Sequence, residues 1–216
     1  MSKKRFGIYI FAALPLIMVS MVYQKLPPLV PIQWQAGEGI RYSEKWQLFI
    51  VAVLCLGMGI LMPLMAKIDP RRKNYEKFFG VYENIILAVE IFMTAMVAIL
   101  LSESMNPSKI PVPRIVSCGV GLFFVFLGNV MPKVKSNFFT GIKTPWALCS
   151  ESVWNKTQRL GGKLFFFGGV FMAVSAIFMP LTVMPYAIGT VLFVVILLPT
   201  ILSCFWYQEE GKTREK

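Results

Sequence analysis

Apolar residues in this chain gather into long unbroken runs instead of alternating with polar ones. Four runs are separated clearly: Phe6 to Tyr23, Trp46 to Met65, Phe78 to Leu101 and Ile115 to Met131. Each is long enough to cross a hydrocarbon core about 30 Å thick, which takes about 20 helical residues. A fifth stretch, Leu164 to Tyr207, holds 44 residues without a charged side chain. As one helix it would reach about 66 Å, roughly twice the bilayer core. Pro180 and Pro185 lie near its middle, and proline removes a helix N–H donor. The stretch therefore reads as a hairpin of two spans, Leu164 to Met179 and Tyr186 to Phe205. The pattern predicts an all-α membrane protein, a bundle of six transmembrane helices. The first run follows Lys3, Lys4 and Arg5 as a signal peptide would, but Ser20-Met21-Val22-Tyr23 offers no small-residue cleavage site. It reads as an uncleaved first span.

Composition agrees. Hydrophobic residues make up 56% of the 216, charged residues 15%, and mean hydropathy is +0.63. A soluble fold of this size could not hide so much apolar surface. The net charge of +11 is explained by where the cations sit. Three Lys and Arg precede the first span, five lie in 66–77, six in 132–163 and three in the tail. The loops on the other side, 24–45 and 102–114, hold three and two, and the last turn holds none. Basic residues mark the cytoplasmic side, so the expected topology has both termini inside. That distribution accounts for the charge without nucleic acid, which is not expected as a direct partner. The lipid bilayer is the expected one. Tyr23, Trp46, Trp206 and Tyr207 fall at span ends, where amphipathic rings favour the membrane interface.

Histidine is absent, which removes His-ligated zinc and His-based acid–base chemistry. Cys55, Cys118, Cys149 and Cys204 are widely spaced with no CxxC, and read as packing residues. There is no HExxH, GxSxG or P-loop. The expectation is no enzyme, no metal and no cofactor.

Three features carry candidate function. Glu83 and Glu90 lie within the third span, seven residues apart on one face, with Asn84 beside the first. An intramembrane carboxylate faces the bundle interior, pairs with a cation or is protonated, and marks either a proton or cation path or polar glue between helices. The first external loop carries Pro31, Trp34, Gly37 and Tyr42 among prolines and glycines. Its Val30 to Gln35 run reads as an extended strand or a re-entrant turn, on a rigid spacer or a ligand-facing surface. The 132–163 loop mixes cations, two tryptophans and turn formers. Ser150 is a candidate N-cap with Glu151 in the first turn of a short helix, on which Trp154 and Gln158 share a face, as do Asn155 and Arg159. On composition alone that helix would lie on the inner leaflet, its tryptophans dipping into lipid.

From Gly128 and Asn129 the loop reads Pro132-Lys133-x-Lys135-x-Asn137-x-Phe139-x-Gly141-Ile142-Lys143-Thr144-Pro145-Trp146-x-Leu148, then Val153-Trp154-x-Lys156-Thr157-x-Arg159-x-Gly161-Gly162-Lys163. This resembles the signature of the SdpI family, bacterial membrane immunity proteins against a secreted killing factor. The first loop resembles the module that precedes it there, with Gln33 and Gln35 in place of the usual His and Asn, and Lys143 replaces the usual Arg before Thr-Pro-Trp. The resemblance implies a multi-pass protein of the bacterial cell membrane that protects against a secreted peptide toxin outside. It also implies a small repressor protein held at the membrane by the basic cytoplasmic loop. The expected organisation is a two-helix module over 1–77 with its external loop, a two-helix hairpin over 78–131, and a basic loop with the C-terminal hairpin and tail over 132–216. The intramembrane glutamates leave a second reading open, a small transporter or ion-conducting protein using Glu83 and Glu90.

Overall fold

The structure is a computed structural model describing residues 3–35, 39–107 and 109–214. Six helices are long and apolar enough to cross a membrane. They are α1 (Lys3–Val22), α2 (Gln47–Ile68), α4 (Phe79–Met105), α5 (Val112–Val130), α7 (Glu151–Phe178) and α8 (Met184–Arg214). Two short helices, α3 (Arg72–Glu76) and α6 (Pro145–Cys149), lie in the loops after α2 and α5. All six runs of the hydropathy pattern are spans. Pro15, Pro63 and Pro199 sit inside their helices, and Pro185 occupies the first turn of α8, where its missing N–H costs nothing.

Between α1 and α2 the chain forms an antiparallel hairpin, β1 (Leu29–Gln35) with β2 (Gly39–Glu44). Of the strand and the re-entrant turn that the sequence allowed, the strand is present. A bulge at Ile32 shifts the register, so Pro31 faces Tyr42 and Trp34 faces Ile40. Val30 is fully buried against Val19, Leu26, Leu48, Ala52, Val97 and Leu101, which fixes the hairpin on the ends of α1, α2 and α4.

The helices pack as α1 with α2 and α4, and as α5 with α7 and α7 with α8; α4 touches α5. The α5–α7 crossing is close enough to require glycine. A β-carbon on Gly128 would lie 2.6 Å from the Gly162 carbonyl oxygen, and one on Gly121 would lie 2.7 Å from that of Gly169. Small residues let membrane helix backbones approach where no hydrophobic effect drives them together. At the opposite end from the hairpin, a core of Ile8, Tyr75, Phe78, Tyr82, Ile86, Val134, Ala147, Val153 and Trp154 joins the two groups of helices. This is the end that carries Arg71 to Lys73 and Lys133 to Lys163, and it is called the basic end below.

One expected boundary is wrong. The sequence predicted a short capped helix lying on the membrane and a separate fifth span from Leu164. They are one helix, α7, about 42 Å long at 1.5 Å per residue. The Gly161-Gly162 pair does not break it, because both glycines are packing sites. Gly161 faces Ile142 and Met131, and Gly162 faces Gly128 and Pro132. Trp154, Thr157 and Gln158 are fully buried in protein and do not dip into lipid.

Candidate functional site at the basic end

The loop from Val134 to Ser150 is built around side chains that replace regular backbone pairing. Asn137 is fully buried. Its Oδ1 accepts from the Phe139 and Thr140 amides at 2.9 and 2.6 Å, and its Nδ2 donates to the Lys135 and Thr140 carbonyls at 2.8 and 3.0 Å. Four bonds from one carboxamide close this turn, the local bonding that suits Asn to turns. Gly141 follows at φ +98°, a conformation rarely open to other residues.

Thr144 then starts α6. Its Oγ1 accepts from the Ala147 amide at 3.1 Å, and Pro145 occupies the first helical position. The same Oγ1 lies 2.8 Å from Ser203 Oγ on α8. Ser150 caps α7, as the sequence predicted, by accepting from the Val153 amide at 3.4 Å with Glu151 in the first turn. Its hydroxyl also donates to Glu210 on α8 at 2.6 Å. Trp154 donates its indole N–H to the Val134 carbonyl at 2.9 Å, and Thr157 bonds back to the Val153 carbonyl within α7.

The motif divides by exposure. Asn137, Thr144, Trp154, Thr157 and Gly161 are buried and Gly141 is half-buried; they form the frame. Pro132, Lys133, Lys143, Pro145, Lys156 and Arg159 are exposed, Trp146 is half-buried, and Phe138 and Phe139 are partly open to the surface. Asn129 is exposed and, among the described residues, bonds only within α5, to the Val125 carbonyl. The frame holds cations and aromatic rings outward on a fixed backbone.

A second loop completes the frame, and the sequence pattern did not point to it. Asp69, only 1% exposed, accepts from the Arg71 amide at 2.7 Å and from the Phe138 amide at 2.8 Å. The Tyr75 hydroxyl lies 3.1 Å from both Asp69 Oδ2 and Asn137 Oδ1. Burial first, and then the Asp69 charge, push that hydroxyl well above the usual tyrosine range, so it stays protonated and able to donate. Arg71 donates to Ser136 and, at 2.7 Å, to the Leu148 carbonyl. Its guanidinium also lies over the Phe138 ring, 5.2 Å from the centroid. Asn74 donates to the Ser136 carbonyl at 2.8 Å.

The intramembrane glutamates have different surroundings. Glu83 pairs with Arg5 of α1 at 3.1 Å, and Arg5 also lies 5.1 Å over the Phe79 ring. Asn84 is half-buried on the same turn. Glu90 is fully buried, and neither carboxyl oxygen has a hydrogen-bond partner among the described residues. It faces Gly59 on α2, whose added β-carbon would lie 3.4 Å from Glu90 Oε1. At the hairpin end Pro31 is buried, Trp34 half-buried and Tyr42 about half exposed, while Gly37 lies outside the described residues.

Residues 133–204, from the basic loop through most of α8, match the SdpI/YfhL protein family. The chain is also similar to a protein named Immunity protein SdpI from Bacillus subtilis (strain 168), with 27% identity over 213 residues, covering 98% of this chain and all of the relative. No solved structure matches it. These similarities and six membrane-length helices make it a multi-pass protein of the bacterial cell membrane.

Proposed function

We propose that this chain protects the cell against a secreted peptide toxin and, through its basic end, holds a small repressor protein at the membrane. The observation that carries this reading is near-full-length similarity to an immunity protein. The chain is oriented with both termini and the basic loops in the cytoplasm and the β1–β2 hairpin outside, as the distribution of Lys and Arg favours. The toxin meets the hairpin end. The repressor meets the exposed cations Lys133, Lys143, Lys156 and Arg159, with the half-buried Trp146 among them. Relay between them requires toxin to favour one arrangement of the bundle over another. The core joining α1, α3, α4, α6 and α7 at the basic end supplies a physical link.

The test is survival. The chain is expressed in a toxin-sensitive cell, and killing is measured at matched membrane abundance against an empty vector. Protection supports the proposal; full sensitivity with normal membrane insertion overturns it.

The Glu90 carboxyl, unpartnered among the described residues, favours one other reading, conduction of protons or cations with Glu83 at the mouth and Glu90 deeper in the bundle. Ion flux in proteoliposomes separates the two: flux without protection supports conduction, and protection without flux supports immunity.

A further inference from the structure

The loop after α2 and the SdpI-like loop enclose a cleft of about 550 Å³ at the basic end. Its wall carries Arg71, Arg72, Lys73, Asn74, Ser136 and Glu151. We propose that this cleft is a binding site for a phosphate-class oxyanion, presented by a lipid headgroup or by a soluble phosphorylated compound.

Three observations support the assignment. First, the cleft holds three cations and one carboxylate, leaving two uncompensated positive charges. A phosphate monoester carries about −1.5 to −2 at neutral pH, so its charge matches where a single carboxylate would fall short. Second, Arg72 and Lys73 are exposed and their side chains have no hydrogen bond or ion pair among the described residues. Cations placed only to set topology would need no cleft. Third, Arg71 is already fixed in place. Ser136, the Leu148 carbonyl and the Phe138 ring hold its guanidinium, and Asp69 holds its amide. Among the described residues two of its five N–H donors are used this way and three remain, in the rigid fork that suits phosphate. A pre-set guanidinium loses little entropy when an anion arrives. The cleft also lies on the seam between two loops, so an occupant would bridge the 66–77 segment to Ser136 and stiffen the surface that displays the motif cations.

Cys149 lines the cleft and is exposed, which supplies a native reporter. The full-length protein is placed in phosphatidylcholine nanodiscs, and alkylation of Cys149 by a maleimide is followed by mass spectrometry, with Cys118 on α5 as internal reference. In one arm inorganic phosphate is added against chloride at matched ionic strength. In the other, phosphatidic acid, whose headgroup is a phosphate monoester, replaces a fraction of the lipid and no phosphate is added. The expected result is a several-fold slowing at Cys149 but not Cys118 in at least one arm, abolished in an Arg72→Gln, Lys73→Gln double variant. Slowing by inorganic phosphate assigns a soluble source, and slowing only with phosphatidic acid assigns the headgroup. Equal rates in every condition, or slowing that persists in the double variant, overturn the site.

Discussion

Gln158 bonds the peptide groups of Ile142 in both directions, accepting from its amide at 3.1 Å and donating to its carbonyl at 2.8 Å. A side chain on α7 thus takes the place of a neighbouring strand for the motif loop. It also occupies the space beside Gly141, where an added β-carbon would lie 2.6 Å from Gln158 Oε1. Gln158→Leu removes both bonds and leaves the Ile142 amide and carbonyl facing an apolar side chain, a cost of about 1–3 kcal/mol. The protein in detergent should melt several degrees lower. Gly141→Ala should be destabilised as well, by backbone strain and by this clash. Because the two residues touch, their double variant should lose less than the sum of the single losses. Full additivity in thermal unfolding would count against the pairing.

The glycines of the α5–α7 crossing make a sharper prediction. Gly128→Leu drives a side chain into the α7 backbone at Gly162, and overpacking typically costs about 1–3 kcal/mol, more when backbone cannot yield. A monodisperse peak in size-exclusion chromatography should be lost. Gly189, on α8, has nothing within 4 Å of an added β-carbon, so Gly189→Ala should leave the peak unchanged.

The spans were legible because hydropathy is local: a run of about 20 apolar residues states its own structure. The Ser150 cap was legible for the same reason. The frame was not. Asp69 meets Phe138, Tyr75 meets Asn137, and Arg71 meets Leu148, each across more than 60 residues of sequence. Within the 66–77 loop those residues looked like ordinary solvated polar groups among topology-setting cations. Trp154 misled in the other direction. Beside lysines on a short amphipathic turn it suggested the lipid interface, while its indole N–H is satisfied inside the protein. An aspartate between an apolar helix end and a proline, in Ile68-Asp69-Pro70, was the available signal that this loop is built and not merely charged.

Topology can be tested without introducing a reporter at the basic end. Cys149 is exposed and Cys55 buried. Under the proposed orientation, an impermeant maleimide should label Cys149 in inverted vesicles and not in intact cells. Tyr42→Cys, at an exposed position of β2, should show the reverse. Labelling of Cys149 from outside intact cells would reverse the two faces assigned in the proposal.

The division of the motif into frame and display predicts separable losses. Lys143→Ala with Lys156→Ala and Arg159→Ala removes exposed cations and no buried contact. Stability should change by no more than about 0.5 kcal/mol per substitution, the usual scale at the surface. Retention of the repressor at the membrane should fall, while survival under toxin stays near wild type. Trp154→Ala should cost about 3–5 kcal/mol, as large buried aromatic deletions do, and should lower both readouts with membrane abundance. Equal loss of survival in the triple variant, at unchanged abundance, would mean that the cations serve protection itself.

Glu90 offers the clearest contrast between stability and function. Its carboxyl is fully buried with no hydrogen-bond partner for either oxygen among the described residues. A buried polar group left unsatisfied costs about 1–3 kcal/mol, and more when charged. Replacing it with an apolar side chain of similar size should therefore stabilise the bundle. Glu90→Leu is expected to melt higher than wild type in detergent. A carboxyl kept at that cost should be needed for activity, so the same variant should lose protection under the immunity reading, or flux under the conduction reading. Glu90→Gln keeps the size and removes the charge, and should follow Glu90→Leu in activity if ionisation is what matters. A variant that melts lower would reveal a stabilising partner for Glu90. One that melts higher with protection and flux unchanged would leave the carboxyl without the role proposed for it.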